Sequence, residues 1–232
     1  MQQYNITEEE LSSIAVKNHY HGSLNEKAQF KKPITVEQIL RGTKIADPLR
    51  LLHCSPISDG AAAIVLTTSE IAKKQHKKPI FFAASEIASD TLALHNRKTF
   101  TSLAAVKKAA ATAYKKAGIT QKEIDVAEIH DCFSIAEAIA VEDLGFSKPG
   151  HGAKDIVKGK YALSHHEIVI NPSGGLKACG HPVGATGVKQ IAEVVTQLRG
   201  EGGKRQVKNA KIGLTHNVGG SGSVAVVHIL KQ

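Results

Sequence analysis

The chain is 232 residues long, 42% hydrophobic and 22% charged, with aromatics at 4%, no tryptophan and a formal net charge of +9; a soluble globular protein with a core of Ala, Val, Ile and Leu is expected. No apolar run approaches the roughly 20 residues that span a bilayer, and the N-terminal stretch lacks the apolar core of a signal peptide, so a cytoplasmic location without a membrane partner is expected. The lysines fall in short pairs (Lys31-Lys32, Lys73-Lys74, Lys77-Lys78, Lys107-Lys108, Lys115-Lys116) without interleaved aromatics. That pattern speaks against nucleic acid and leaves two readings, a phosphate-bearing small ligand or solvated helix faces.

Thr7-Glu8-Glu9-Glu10 forms a capping box, and apolar Leu11, Ile14 and Ala15 follow at helical spacing. A helix is predicted to run to about Asn18. The stretch from His19 to Phe30 is polar and carries a glycine, and Pro33 precedes a second, short helical pattern from Val36 to Leu40, so the opening of the chain reads as a loop-rich appendage without a core of its own. From Asp59 the pattern changes. Residues 60–66 are an apolar run bounded by turn residues, which predicts a buried strand, and a helix is predicted over 69–77. Next come a strand over 80–87, an Ala-rich amphipathic helix over 103–117 stopped by Gly118, a strand over 126–129 and a helix over 135–144. A strand over 168–170 runs into the glycine-dense segment 171–187, and a helix over 188–199 is closed by Gly200. The last strands, 211–215 and 224–230, are joined by a Gly-rich connection and predicted to pair as an antiparallel hairpin. Strands alternating with helices predict an α/β layered fold.

Three polar clusters each follow a predicted strand: His130-Asp131-Cys132-Phe133, Gly180-His181-Pro182 and His216-Asn217-Val218-Gly219-Gly220. The carboxyl ends of strands are where α/β sheets bind ligands, so the three are expected to converge. A thiol and an imidazole brought together divide proton-transfer work, whereas a buried cysteine by itself is more often an inert small hydrophobe. The inert reading holds for Cys54 and Cys179; Cys132, flanked by His130 and Asp131 at a strand end, reads as functional. Three cysteines without tight spacing fit neither a disulfide framework nor a zinc pair, and no metal site is expected. The glycines at 174, 175, 180, 184 and 187 permit positive φ and close backbone approach. They suit either a loop presenting N–H groups to a carbonyl oxygen or phosphate, or a set of tight turns. Gly219-Gly220 beside Asn217 poses the same choice between an oxyanion hole and a turn.

At these residues the sequence resembles the thiolase superfamily, in the branch of sterol-carrier-protein-x and archaeal acetoacetyl-CoA thiolases. The resemblance rests on six strings: the ten residues from Cys54-Ser55-Pro56 to Ala63, then His130-Asp131-Cys132-Phe133, Asn171-Pro172-Ser173-Gly174-Gly175, Gly180-His181-Pro182-Val183-Gly184-Ala185-Thr186-Gly187, Leu198-Arg199-Gly200-Glu201, and His216-Asn217-Val218-Gly219-Gly220. It runs along the whole chain but covers only the later part of the thiolase pattern. It implies the thiolase-like layered fold: the remainder of the loop domain over 1–58, the closing strand and helix of the N-terminal repeat over 59–78, and the C-terminal domain, a mixed sheet flanked by helices, over 79–232.

The resemblance also implies chemistry. The cysteine that family members acylate belongs to the part not covered, so no residue here is assigned as nucleophile, and Cys54 sits in a different motif. His181 resembles the histidine that activates that thiol. Cys132 resembles the second catalytic cysteine, which exchanges a proton with the α-carbon of acetyl-CoA. His130 stands where better-known thiolases keep an asparagine that helps hold an oxyanion-hole water. Asn217 stands where they keep their acid/base cysteine, and Gly219 offers an oxyanion N–H. Ser55 resembles a serine that contacts the pantetheine arm of coenzyme A; Ser173 and Gly174 are expected to bind substrate. The implied activity is acetyl-CoA acetyltransferase chemistry, Claisen condensation or thiolysis, with a coenzyme A thioester as substrate and no cofactor. The implied partners are an N-terminal thiolase half, whether this chain is a split subunit or a truncated piece, or a second copy. Related archaeal enzymes add hydroxymethylglutaryl-CoA synthase and a small zinc-ribbon/OB-fold protein. The competing expectation is a non-catalytic acyl-CoA-binding, lipid-binding or scaffold protein that kept the fold.

Overall fold

A computed structural model of the chain describes residues 1–75, 78–165 and 167–232. In chain order the elements are α1 (Glu8–Ser23), α2 (Val36–Leu40), β1 (Lys44–Ala46), β2 (Leu49–Arg50), α3 (Ser69–Lys73), β3 (Phe81–Ser89), α4 (Ala104–Ala117), β4 (Val126–Glu128), α5 (Ser134–Asp143), α6 (Gly152–Val157), β5 (Val169–Ile170), α7 (Gly175–Cys179), α8 (Thr186–Arg199), β6 (Ile212–Gly219) and β7 (Val224–Lys231). The main sheet has the order β3-β7-β6-β4-β5. β7 runs antiparallel to both β3 and β6, whereas β4 runs parallel to β6 and β5. The result is a mixed five-stranded sheet flanked by helices, the layered α/β architecture predicted from the alternation of elements.

Small residues set the packing on one face. Ala105, Val106, Ala109, Ala110 and Ala113 recur at helical spacing and are buried against Ala84, Ala88 and Ala225 of the sheet. On the other face α8 lies over β6 and β4, and its Ile191, Val194 and Leu198 share a second core cluster with Val126, Val169 and Leu230. Each such aliphatic side chain, fully buried, stabilises the fold by about 1.5–3 kcal/mol. The helices α4 and α8 end as predicted, on Gly118 and Gly200 in the left-handed region at φ 65 and 80. The last two strands form the predicted antiparallel pair.

Two expectations change. α1 keeps its Thr7 capping box but continues past Asn18 to Ser23, and its inner side lies in the main core through Leu11 and Ile14. It is therefore built into the domain rather than appended to it. The reason is a close crossing: a Cβ on Gly22 would stand 2.7 Å from the Ala178 Cβ, so the glycine that looked like a breaker lets α1 lie on α7. The strand expected over 60–66 is not formed. That segment belongs to no helix and pairs with no strand of the described residues, and Val65 and Leu66 are exposed at 94% and 70%. The helix expected next is present as α3; the end foreseen at Lys77 lies outside the described residues.

Candidate active site

The site grows from the way β4 stops. Its ladder ends at Glu128, and the next two backbone donors are taken by side chains of the neighbouring segments: Ile129 N–H donates to Asn171 Oδ1 (2.8 Å) and His130 N–H to His216 Nδ1 (3.4 Å). The chain thereby leaves the sheet and carries His130, Asp131 and Cys132 over its carboxyl end into α5. The third polar cluster lies within a strand rather than after one, because β6 continues to Gly219.

The convergence expected of the three clusters is visible in their imidazoles. The His130 and His181 rings meet edge to face at 5.1 Å between centroids, and His216 binds the His130 backbone. His181 is fixed at both ends. Its N–H donates to Ser58 Oγ (3.2 Å), and Nδ1 lies 2.7 Å from Thr186 Oγ1. The Thr186 hydroxyl donates its one proton to the Pro182 carbonyl (3.0 Å), so it accepts from Nδ1–H and leaves the lone pair of His181 on Nε2. Burial and then the Lys189 ammonium lower the His181 pKa. His130 is pushed down to about 4 by burial, His181 and Lys189, and His216 to about 3 by burial and then His130. The cluster is neutral imidazole at neutral pH.

Cys132 is partly buried, and its thiol is raised above the ordinary value by burial and then by the neighbouring Asp131 carboxylate. Ser55 N–H donates to the Cys132 carbonyl (2.8 Å) beside the antiparallel bridge between Cys54 and Phe133. Ser55 therefore stands directly opposite Cys132 across the bridge. Asn217 donates to Gln190 Oε1 (3.1 Å), whose amide in turn donates to the His216 carbonyl (3.1 Å). Gly219 lies exposed where β6 ends. Ser173 and Gly174 are placed differently. The Ser173 hydroxyl donates to the buried Glu128 carboxyl (2.7 Å) while the residue lines the cavity beside the Gly180–Pro182 turn, and Gly174 abuts the Gly22 backbone.

Charged residues form a buried network beneath these loops. The Asp131 carboxylate accepts from Leu176 N–H (2.6 Å), Lys177 N–H (3.3 Å) and Asn18 Nδ2 (2.7 Å), which ties the Cys132 loop to α7 and to α1. Gly175, at φ +63, admits that contact: a Cβ there would stand 2.4 Å from Asp131 Oδ2. Glu137 accepts from Asn18 and Asn171 (2.6 and 3.0 Å) and pairs with the Lys17 ammonium at 3.0 Å. Lys177 is fully buried; its ammonium donates to the His53 carbonyl (2.7 Å), and burial lowers its pKa against the pull of Asp131. The sequence reading missed this network, although one signal was present. Asn18 continues the core spacing of Leu11, Ile14 and Ala15, and a polar residue at an apolar position needs partners.

A cavity of about 470 Å³ shares the Gly180–Pro182 turn with the histidine cluster but is lined by Ser58, Cys179, Lys189 and Arg205, not by His130, Cys132 or His181. Of its three basic groups, Lys189 is engaged by the Gly180 carbonyl (2.6 Å) and Arg205 by Glu193 (2.8 Å), while Lys27 is the third basic residue of the lining. Among the described residues no His, Cys, Asp and Glu group is arranged to hold a metal ion.

Buried imidazoles make the fold acid-sensitive. His21 and His216 are lowered to about 3, and His19, His53 and His130 to about 4, each chiefly by burial. Above pH 6.5 these groups are neutral whether the chain is folded or not, and their contribution is fully present. Below it the unfolded chain binds protons that the native state refuses, at about 1.4 kcal/mol per histidine per pH unit, until the folded pKa values are reached. Glu128 and Asp143, raised by burial, oppose this, two groups against five. Urea unfolding measured from pH 7 to pH 4 is expected to show stability falling throughout; a flat profile contradicts neutral burial.

A mixed sheet of order β3-β7-β6-β4-β5, with polar loops gathered at the carboxyl ends of its parallel strands, defines the C-terminal half-fold of a thiolase. The thiolase C-terminal domain-like family model matches residues 87–232, and the chain belongs to that family. Over its full length it is 51% identical to an acetyl-CoA acetyltransferase of Methanothermobacter thermautotrophicus, of which it covers 60%. Sterol carrier protein 2 of Bos taurus is 40% identical over 97% of this chain, which spans 42% of that protein. In fold the chain is similar to the Ltp2-ChsH2(DUF35) aldolase, with a TM-score of 0.88 at 23% identity over all of this chain and 60% of that one. No helix of the described residues is long and apolar enough to cross a membrane.

Proposed function

We propose that this chain is the C-terminal part of an acetyl-CoA acetyltransferase that condenses acyl-CoA units or cleaves the product by thiolysis, with the nucleophilic cysteine supplied by another polypeptide segment. The observation that carries the reading is His181: a neutral imidazole whose Nδ1–H is engaged by Thr186 and whose Nε2 is left as a base. In this reading Nε2 takes the proton of the nucleophilic cysteine, the thiolate attacks the thioester carbonyl, and the proton passes from Nε2 to the departing sulfur, so that coenzyme A leaves as the thiol. Cys132, with its raised pKa, exchanges the proton of the second substrate's α-carbon as that carbon forms or breaks its bond to the acyl group. His130, Asn217 and the Gly219 N–H serve the oxyanions, and Ser55, opposite Cys132, meets the pantetheine arm. Ser173, which lines the cavity beside Gly180, and Gly174 bind substrate from the turn before His181. The proposed location is the cytoplasm.

The need for a partner is supported by two observations. The chain spans about 60% of the acetyl-CoA acetyltransferase it matches, and residues 60–66 are an apolar run that pairs with no strand of the described residues. An N-terminal thiolase half, or less completely a second copy, would cover that run; hydroxymethylglutaryl-CoA synthase and a zinc-ribbon/OB-fold protein are proposed as further associates. The similarity to sterol carrier protein 2 favours a second reading, an acyl-CoA or lipid binder without catalysis.

Loss of acetoacetyl-CoA absorbance on adding coenzyme A separates the two. Activity is expected when the chain is combined with an N-terminal thiolase half carrying its cysteine, and none from the chain alone. Inactivity of the combined pair would favour the binder. Val65→Asp with Leu66→Asp is expected to abolish co-elution with that half while leaving the circular dichroism of the chain unchanged, since both side chains face solvent in the chain alone. Unchanged co-elution would place the interface elsewhere.

A further inference from the structure

We infer that His216 is a positioning residue of this site, acting through His130; the inference deepens the thiolase reading and rests on it for its catalytic meaning. His216 is buried within β6 at 1% exposure, and nothing in the proposed chemistry uses it. Its Nδ1 accepts the His130 backbone N–H where a ladder partner would otherwise stand, and that contact decides where the chain leaves β4. Asn171 Oδ1 does the same for Ile129 N–H on the side of β5. Asn171 is itself held by Glu137, whereas His216 is held through its carbonyl by Gln190, the residue that also binds Asn217. One side chain of α8 thus couples Asn217, His216 and, through the imidazole, the His130 turn.

The tautomer follows. With Nδ1 accepting, the His216 proton sits on Nε2, and among the described residues that nitrogen has no hydrogen-bond partner; neither has Nδ1 of His130, at 7% exposure. Two unpaired buried nitrogens in contacting residues are costly in a region that exists only for packing. They fit a place where ring orientation is set for work at the reacting centre. The ring that is set is the one standing edge-on to His181, so a displaced His130 turn carries the general base's neighbour with it.

Three variants test this. His216→Asn keeps a polar atom at the Nδ1 position, His216→Gln moves it outward to that of Nε2, and His216→Leu removes it. The primary readout is long-range ¹⁵N–¹H correlation of the His130 and His181 rings in the full chain, which does not require activity. The Asn variant is expected to keep both ring spectra, and the Gln and Leu variants to shift both. In the active assembly with an N-terminal thiolase half, Leu is expected to lower kcat about tenfold with KM unchanged, and Asn to restore most of it. Unshifted rings in the Leu or Gln variant, or an Asn variant shifted as far as they are, would overturn the inference. If Leu does not fold, the Asn and Gln pair decides. An inactive assembly with shifted rings refutes the thiolase reading and leaves the positioning intact.

Discussion

Thiolysis by the assembled enzyme should fall about 10³-fold in kcat when His181 is replaced by asparagine, a loss typical of removing a positioned general base. The substitution keeps polarity but removes the Nε2 lone pair, and binding of coenzyme A should change little. Cys132→Ser should lower overall turnover by a similar factor through a different step. A serine hydroxyl is far too weak an acid to give up and regain a proton at the α-carbon, so bond making and breaking stop. Acyl transfer from acetyl-CoA to the nucleophile does not involve Cys132 and should continue. Exchange of labelled coenzyme A with acetyl-CoA is thus the discriminating measurement: preserved in Cys132→Ser, lost in His181→Asn. Loss of exchange in both would move Cys132 into the acyl-transfer step, and retention in both would remove His181 as the base. The distinction is available because the structure gives the two groups opposite states at neutral pH, an imidazole lowered into its basic form and a thiol raised into its protonated one.

Local chemistry made much of this fold legible before the structure. The capping box at Thr7 and the left-handed glycines at Gly118 and Gly200 fixed helix ends, since caps act within a few residues and need no tertiary partner. Tertiary contacts hid the rest. Asn18, His19 and His21 look polar enough to end a helix, yet each is buried, and the helix continues because Asp131 binds Asn18, Asn171 and Leu163 bind His21, and the His19 ring stacks on Phe30. Residues 60–66 show the reverse case: the strand pattern is plain, but a strand exists only beside another, and no strand of the described residues pairs with it. At the site, the motifs pointed to His130, Cys132, His181 and Asn217. They did not reveal His216, whose role depends on replacing a ladder bond across β4 and β6.

Breaking the Lys17–Glu137 pair is expected to destabilise the fold by about 3–5 kcal/mol in either single variant, Lys17→Met or Glu137→Leu. Both side chains are almost wholly excluded from water, at 6% and 0% exposure, so removing one leaves its partner as an uncompensated buried charge. The double variant should recover much of the loss, because a well-packed Met–Leu pair needs no desolvation of ions. Recovery has a limit set by the rest of the network: Lys17 also donates to Ile170 O and Asn18, and Glu137 also accepts from Asn18 and Asn171. Urea midpoints for the four proteins complete the cycle. Additive losses would mean that the pair is not coupled, whereas the expected result is a double variant more stable than either single one. Such a variant would still be a poor enzyme. With Glu137 gone, Asn18 loses one of its two acceptors and holds Asp131 less firmly, and Asp131 is what locks the Cys132 loop to the helix preceding His181. Stability regained without turnover in the assembled enzyme would show that the buried charges serve the geometry of the site more than the free energy of folding.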